Sequence, residues 1–502
     1  MTDAPILIIG AGMGGLSAAA LLVAQGVPVV VLERQPTPGG KLRQVEVAGA
    51  AIDAGPTVFT MRWVFERLFA EAGGDFASEV RLAPTELLAR HAWDDRGIFD
   101  LFADPAATEQ SIGEFFGATE VRGYRAFSAE AKAIYDVLLG SFLEGSRPTP
   151  ITLMTRIGLR RLPEALAIKP HQSLWRALTR HFADARLRQL FGRYATYCGA
   201  SPFAAPATLM LIAHVEQQGV WLAKDGMHAI AKAIEALALR QGAAFRYGAA
   251  VDAVLVEGGR AVGVRLAGGE ELRGSAVLCN ADPAALAVGK FGDAARRATP
   301  GAERMQRSLS SMTWMVNAPT GGFPLVRHNV FFSDDYRAEF DAIFARGQLP
   351  ARPTVYVCAQ DRDDRGGWVG ASSEQGPERL QLIVNAPANG DGPGPSAAEV
   401  VACETATFEL LARCGLDITR TPDTSLLMTP AGYEALFPAT GGALYGLAAH
   451  GWRTPFQRPG AASKLPGLYL AGGGVHPGAG LPMASLSGRL AAMRILSDRA
   501  RR

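Results

Sequence analysis

Three stretches of the 502-residue sequence predict an α/β fold in which a Rossmann-type dinucleotide-binding domain is assembled from N-terminal, middle and C-terminal segments around an inserted α+β domain. An apolar run, Pro5-Ile6-Leu7-Ile8-Ile9, enters the turn Gly10-Ala11-Gly12-Met13-Gly14-Gly15 and a helix-like stretch from Leu16 to Leu22. A second apolar run, Val29 to Leu32, ends in Glu33. A second strand, glycine turn and helix, Leu468 to Leu490, follows near the other end of the chain.

With 57 glycines in the chain, about 0.7 matches to G-x-G-x-x-G are expected by chance, so the context has to carry the inference. Gly10 permits the turn, Gly12 lets backbone approach a pyrophosphate, and Gly15 lets helix and strand pack closely, while the helix N-terminus faces the anion. Glu33 stands where an acidic residue accepts the hydroxyls of an adenosine ribose.

Composition narrows the remaining classes. With 48% apolar and 20% charged residues the chain is globular and long enough for two or three domains. A net charge of +2 and the lack of a Lys/Arg block argue against a nucleic-acid partner. Cys198, Cys279, Cys358, Cys403 and Cys414 are scattered and read as reduced core residues, and no histidine spacing matches a zinc motif, so no metal site is expected. Met1-Thr2-Asp3 lacks a basic leader, and the longest apolar stretch, Leu16 to Ala24, stops at Gln25, short of a membrane span. A cytoplasmic, non-spanning protein is the expectation.

In chain order, Glu33-Arg34 leads to Thr37-Pro38-Gly39-Gly40-Lys41-Leu42-Arg43, where paired glycines free the backbone and the cations suit a second phosphate or a carboxyl partner. Asp53-Ala54-Gly55-Pro56-Thr57 reads as a turn passing close to a flat ligand, or as a plain β-turn. Residues 61–245 are largely helical, with periodic stretches from Arg122 to Leu139 and from Leu174 to Arg193 and a hairpin around Asp94-Asp95-Arg96-Gly97. Within them, Ile151 to Leu162 sets apolar residues beside Arg156, Arg160 and Arg161, the composition of a helix lying on a lipid surface or of one packed on its own core. Residues 246–290 return to the nucleotide domain as a meander with a Gly258-Gly259 turn. Residues 291–460 are β-rich, and the alternating bulky residues of Met312 to Val316 and Thr354 to Cys358 suit a sheet floor under a ligand. Pro387 to Pro395 reads as an exposed loop. In residues 461–502, Gly472-Gly473-Gly474 and His476 to Gly480 supply further backbone N–H groups and a tight backbone under a ring system.

Taken together, these stretches resemble the flavin-dependent amine-oxidase-like oxidoreductases, and within them the phytoene-desaturase-type carotenoid desaturases. The resemblance runs over nearly the whole chain and is most specific at Leu468 to Gly488, with its core His476-Pro477-Gly478-Ala479-Gly480-Leu481-Pro482. Where phytoene desaturases carry a Pro-Gly pair after that core, this chain has Leu481 to Gly488, which is similar to the hydroxycarotenoid 3,4-desaturase (methoxyneurosporene dehydrogenase) branch. Gly473 stands where related flavoproteins often carry an acidic residue near the ribityl chain.

The resemblance implies an FAD cofactor held by Gly10, Gly12, Gly14, Gly15, Glu33, Arg34, Gly40, Lys41, Pro56, Thr57, Val251, Gly473, Gly480, Pro482 and Met483. It implies a hydrophobic acyclic carotenoid as substrate, such as 1-hydroxyneurosporene, oxygen or a quinone as electron acceptor, and peripheral association with the inner or photosynthetic membrane. Desaturation removes a hydride and a proton from adjacent carbons, two electrons that no side chain stores. No catalytic residue is assigned, since nothing in the spacing of His214, Glu216, His228 and His476 pairs a base with an orienting partner. Phytoene desaturation is the alternative activity. A flavin amine oxidase and a non-catalytic carotenoid- or quinone-binding protein are the alternatives of other classes. The first lacks support because no aromatic pair flanks His476 to Met483, and the second because the cofactor motifs are intact.

Overall fold

A computed structural model describes residues 4–94, 97–158, 168, 170–369 and 376–501. The first apolar runs form strand β1 (Ile6–Ile9), helix α1 (Met13–Ala24) and strand β2 (Val29–Leu32). Helix α2 (His228–Arg240) leads into β3 (Ala244–Arg246), followed by β4 (Ala276–Cys279), β5 (Leu468–Leu470) and helix α3 (Leu481–Ala500). The five strands pair in parallel in the order β3-β2-β1-β4-β5. Their short apolar runs suit a sheet covered on both faces. Helix α1 is buried along almost its whole length, which is why its sequence is apolar all round instead of amphipathic. It packs against α3, and Ser17 Oγ lies 2.9 Å from Ser485 Oγ. The closest approach is between backbones, since a Cβ on Gly488 would stand 2.2 Å from the Gly14 carbonyl oxygen.

The meander forms a separate antiparallel sheet of Val251–Glu257, Arg260–Leu266 and Glu271–Arg273, its first turn made by Gly258 (φ +55°) and Gly259 (φ +80°). Positive φ at both central residues is what a tight hairpin with the strands' own twist requires.

A second large sheet has seven strands, in the order Ser425–Met428, Ser310–Ala318, Glu378–Ala386, Val355–Ala359, His328–Phe331, Leu87–Ala92 and Ile98–Phe102. The last two come from the otherwise helical segment and pair as the expected hairpin. Asp95 and Arg96 at its tip lie outside the described residues.

Three local expectations change. The periodic stretch Leu174 to Arg193 is two helices, Leu174–His181 and Ala185–Gly192, because Asp184 caps the second through the Arg186 N–H and Glu120 takes the Ala183 and Asp184 N–H groups between them. The Pro387 to Pro395 loop is docked at its start, with Gly390 donating to the Gly441 carbonyl and Asp391 paired with Arg307. Of the bulky residues of the large sheet, Tyr356 and Ile383 face the cavity described below, but Met312, Trp314, Val316, Leu380, Leu382 and Val384 point away and pack into a separate apolar core with Leu410 and Leu411 of helix Ala397–Arg413.

Candidate functional site

Because the five strands are parallel, their C-terminal ends share one edge, where α/β folds bind ligands at the point of strand-order reversal. Here that point lies between β1 and β4. The turn after β1 faces Asn280, the residue after β4. Asn280 Nδ2 lies 3.4 Å from the Gly10 carbonyl, and its Oδ1 is buried without a partner. A Cβ on Gly12 would stand 2.6 Å from Asn280 Nδ2, and one on Gly14 would stand 2.7 Å from the Gly472 nitrogen. Glycine is thus required by neighbouring protein at these positions as well as by any ligand. Gly10 takes φ +94° and makes the turn. Gly15 packs against the Gly10 carbonyl, 2.2 Å from where its Cβ would be, and has no surface on the cavity described below.

At the end of β2, Glu33 is buried, accepting the Ala11 N–H at 2.7 Å and the Gln35 N–H at 2.9 Å. A carboxylate has about four acceptor sites, so two such bonds leave capacity for a diol. Arg34 caps the C-terminus of helix Pro430–Leu436, donating to the Ala435 and Leu436 carbonyls. Lys41 donates to the Leu444 carbonyl at 2.7 Å and lies over the Phe437 ring. Burial pushes its ammonium down to about 8, opposed by Asp282 and reinforced by Arg458. Arg458 is buried and donates to the carbonyls of Gly473, Tyr445 and Leu447, so a cation from a neighbouring segment fixes the loop at Gly473.

Apart from Gly15, the glycines and the side chains of Glu33, Arg34, Lys41, Asn280 and Arg458 open onto one cavity of about 970 Å³. Gly10, Gly12, Gly14, Glu33, Arg34, Gly40, Lys41, Pro56, Thr57, Val251, Gly473, Gly480, Pro482 and Met483 all line it. Helices α1 and α3 point their N-termini toward it from Gly12 and Gly480, neither of which caps through a side chain, so first-turn N–H groups are available to an anion. Buried atoms without partners also lie on its walls, Asn280 Oδ1 and Arg43 Nη2. Backbone donors, a carboxylate and unpaired polar atoms in one continuous cavity fit an elongated dinucleotide carrying phosphates at its middle.

The same cavity runs on into a second region. One side is apolar, lined by Leu138, Phe142, Leu143, Leu209, Ile212 and Val215. The other is the inner face of the seven-stranded sheet, where strand alternation brings Ser311, Thr313, Gln381, Asn385 and Tyr356 to the surface. Leu153 of helix Pro150–Ile157 also lines the cavity, while Ile151 (78% exposed) and Met154 (41%) face outward. The Arg156 guanidinium is held by the Ser146 carbonyl and hydroxyl and turns back onto the protein. Arg160 and Arg161 lie outside the described residues.

None of the four candidate bases lies on the cavity wall. His228 Nε2 donates to the Pro38 carbonyl, and His476 Nε2 donates to Gly145, its imidazole pushed down to about 4 by burial. His214 stacks edge-on against Tyr135. Glu216 accepts both the Tyr194 and Tyr197 hydroxyls at 2.7 Å, and burial raises its carboxyl. These are structural partners. Among the described residues no three His, Cys, Asp and Glu side chains converge on a metal-sized site, and all five cysteines are unpaired.

Sequence reasoning missed Asn280 and Arg458. A polar residue ending a parallel strand was an available signal for Asn280. Nothing local marks Arg458.

Residues 13–316 match the model of the flavin containing amine oxidoreductase family. The chain belongs to that family. It is 53% identical to hydroxyneurosporene desaturase of Rubrivivax gelatinosus over 98% of this chain and 93% of that one, and 43% identical to hydroxyneurosporene desaturase of Cereibacter sphaeroides over 99% and 98%. Among solved structures, cyclohexylamine oxidase of Brevibacterium oxydans superposes with a TM-score of 0.56 at 15% identity, covering 99% of this chain and 100% of that one, a likeness of fold. As a member of the flavin-containing family the protein is an oxidoreductase whose cofactor is FAD, and the cavity described above fits it.

Proposed function

We propose that the protein is an FAD-dependent carotenoid desaturase that introduces the 3,4 double bond into a 1-hydroxylated acyclic carotenoid such as 1-hydroxyneurosporene. The observation that carries this reading is the continuity of the dinucleotide cradle with an apolar channel, in a chain whose relatives at 53% and 43% identity are hydroxyneurosporene desaturases.

In this reading Gly10, Gly12 and Gly14 present backbone to the pyrophosphate and Glu33 takes the ribose. Val251, Gly40, Lys41, Pro56, Thr57, Gly473, Gly480, Pro482 and Met483, which line the same cavity, would hold the rest of the cofactor. The FAD-binding domain then comprises residues 1–60, 246–290 and 461–502, and the substrate parts are 61–245 and 291–460. Bound FAD supplies a two-electron acceptor for a hydride. The chain's own contribution is positional: Phe142, Leu143, Leu209, Ile212 and Val215 exclude water and hold the polyene, while Arg458 locks the Gly473 loop. Oxygen or a quinone is the final acceptor.

Membrane association follows from the substrate, which is insoluble in water, and is supported by exposed Ile151 and Met154 on a helix whose inner face lines the cavity. No described helix is long and apolar enough to cross a membrane. Holoenzyme in liposomes, given 1-hydroxyneurosporene, neurosporene and phytoene separately, is expected to yield a product two hydrogens lighter and red-shifted from the first. Conversion of phytoene with none of the hydroxylated substrate promotes phytoene desaturation. Oxidation of amines alone replaces the reading altogether.

A further inference from the structure

For a cavity that holds a polyene, the sheet-side wall carries an unexpected amount of polar chemistry. The Arg193 guanidinium projects from the turn Arg193–Cys198 and lies 5.1 Å from the Tyr356 ring centre and 5.6 Å from that of Tyr197. The hydroxyls of those two tyrosines are engaged by protein: Tyr356 shares hydrogen bonds with His328 Nδ1 and Thr57 Oγ1, both at 2.7 Å, and Tyr197 donates to Glu216. Tyr336 differs. It lines the same cavity, is 4% exposed, and its hydroxyl has no partner.

A buried hydroxyl without a partner destabilises the fold unless something arrives to pair with it. We infer that Arg193 and Tyr336 form the subsite for the substrate's terminal hydroxyl, the guanidinium donating to its oxygen and the Tyr336 oxygen accepting its proton. This rests on the reading of the protein as a hydroxycarotenoid 3,4-desaturase, and it names the residues that make the choice of substrate.

The location agrees with the regiochemistry. From a hydroxyl on C1 to C4 is four single bonds, a reach of about 5 Å, so the hydroxyl subsite has to adjoin the place where C3 and C4 react. Arg193 touches Tyr356, and Tyr356 bonds Thr57, in the loop that passes the ring in the proposed cofactor site. An end bearing only methyl groups leaves the buried Tyr336 hydroxyl unpaired. A site built to pair a hydroxyl discriminates by about 10⁴-fold, where an apolar pocket reaches about 100-fold.

The test compares kcat/KM for 1-hydroxyneurosporene and neurosporene in wild-type, Tyr336→Phe, Arg193→Lys and Arg193→Met holoenzymes in liposomes. Tyr336→Phe removes one unpartnered oxygen from the core, so folding and flavin absorbance are expected to persist. Its kcat/KM for the hydroxylated substrate is expected to fall about tenfold or more with that for neurosporene unchanged or raised. Arg193→Met is expected to do the same, with Arg193→Lys recovering part of the loss. Equal losses on both substrates, or an unchanged ratio in Tyr336→Phe, overturn the subsite, as does a wild type that shows no preference. A wild type that desaturates neither carotenoid refutes the proposed function and this inference with it. A wild type that desaturates 1-hydroxyneurosporene, with variants that keep its selectivity, refutes the subsite alone.

Discussion

Replacing Gly488 by alanine adds one methyl group at the contact between the first and last helices. The new Cβ would stand 2.2 Å from the Gly14 carbonyl oxygen, more than 1 Å inside ordinary contact, and the atom it meets is backbone that cannot swing away. Overpacking of this kind costs about 1–3 kcal/mol. Without cofactor the strain relaxes by separating α3 from α1. That separation also moves the Gly14 turn from Gly472, and FAD has to restore the approach when it binds. The cost therefore falls on the holoenzyme, and the FAD dissociation constant is expected to rise roughly 5- to 150-fold. Titration of apoprotein with FAD, followed by quenching of flavin fluorescence, measures it directly. Gly268→Ala is the control, since a Cβ there meets nothing within 4 Å. If Gly488→Ala binds FAD as tightly as Gly268→Ala, close helix packing does not set the geometry of the cradle.

Further outcomes follow from other contacts. Asn280→Asp places a carboxylate between Gly12 and Gly14, and purified protein is expected to lose its flavin absorbance while keeping its far-ultraviolet circular dichroism; full flavin occupancy would show that no phosphate lies there. Lys41 titrates near 8 in the folded protein and at 10.5 when free, so between those values the unfolded chain holds a proton that the folded one has released, and folding gains as pH rises. The stability advantage of apo Lys41→Met over wild type, from urea midpoints, is expected to shrink from about pH 8 to pH 10.5; a constant difference removes Lys41 as the cause. Replacing Ile151 and Met154 together by glutamate is expected to abolish flotation with anionic liposomes, and Arg160→Glu with Arg161→Glu to weaken it in a salt-dependent way. Unchanged flotation in both sets takes the stretch Ile151 to Leu162 out of the membrane reading.

The turn at Gly10 to Gly15, the acidic end of β2 and the glycine loops before α3 were legible because each is a local pattern whose meaning depends on a few neighbouring residues. Asn280 and Arg458 were not, since strand order brings the first to Gly12 and a neighbouring segment brings the second to Gly473. The large sheet is instructive in another way. Alternation told which residues of Met312 to Val316 share a face, but not which face meets the cavity, and the bulky side chains turned out to serve the separate core under helix Ala397–Arg413. Likewise the periodic run Leu174 to Arg193 concealed a break, because Asp184 acts as a cap only once Glu120 has captured the backbone before it.

Ser17 and Ser485 meet across 468 positions of sequence, and that span has a consequence for synthesis. Helix α1 leaves the ribosome among the first elements, yet its partner α3 is translated last. At about 5–20 residues per second, roughly 25–90 s pass before the first helix can be covered. During that interval the side of this apolar helix that meets α3 has no native partner. The Gly473, Gly480 and Met483 side of the cofactor cavity is likewise made only at the end of synthesis. Loss of the final twenty residues removes Ser485 and Gly488 and leaves the α3-facing side of α1 uncovered, a lesion that added cofactor is not expected to repair.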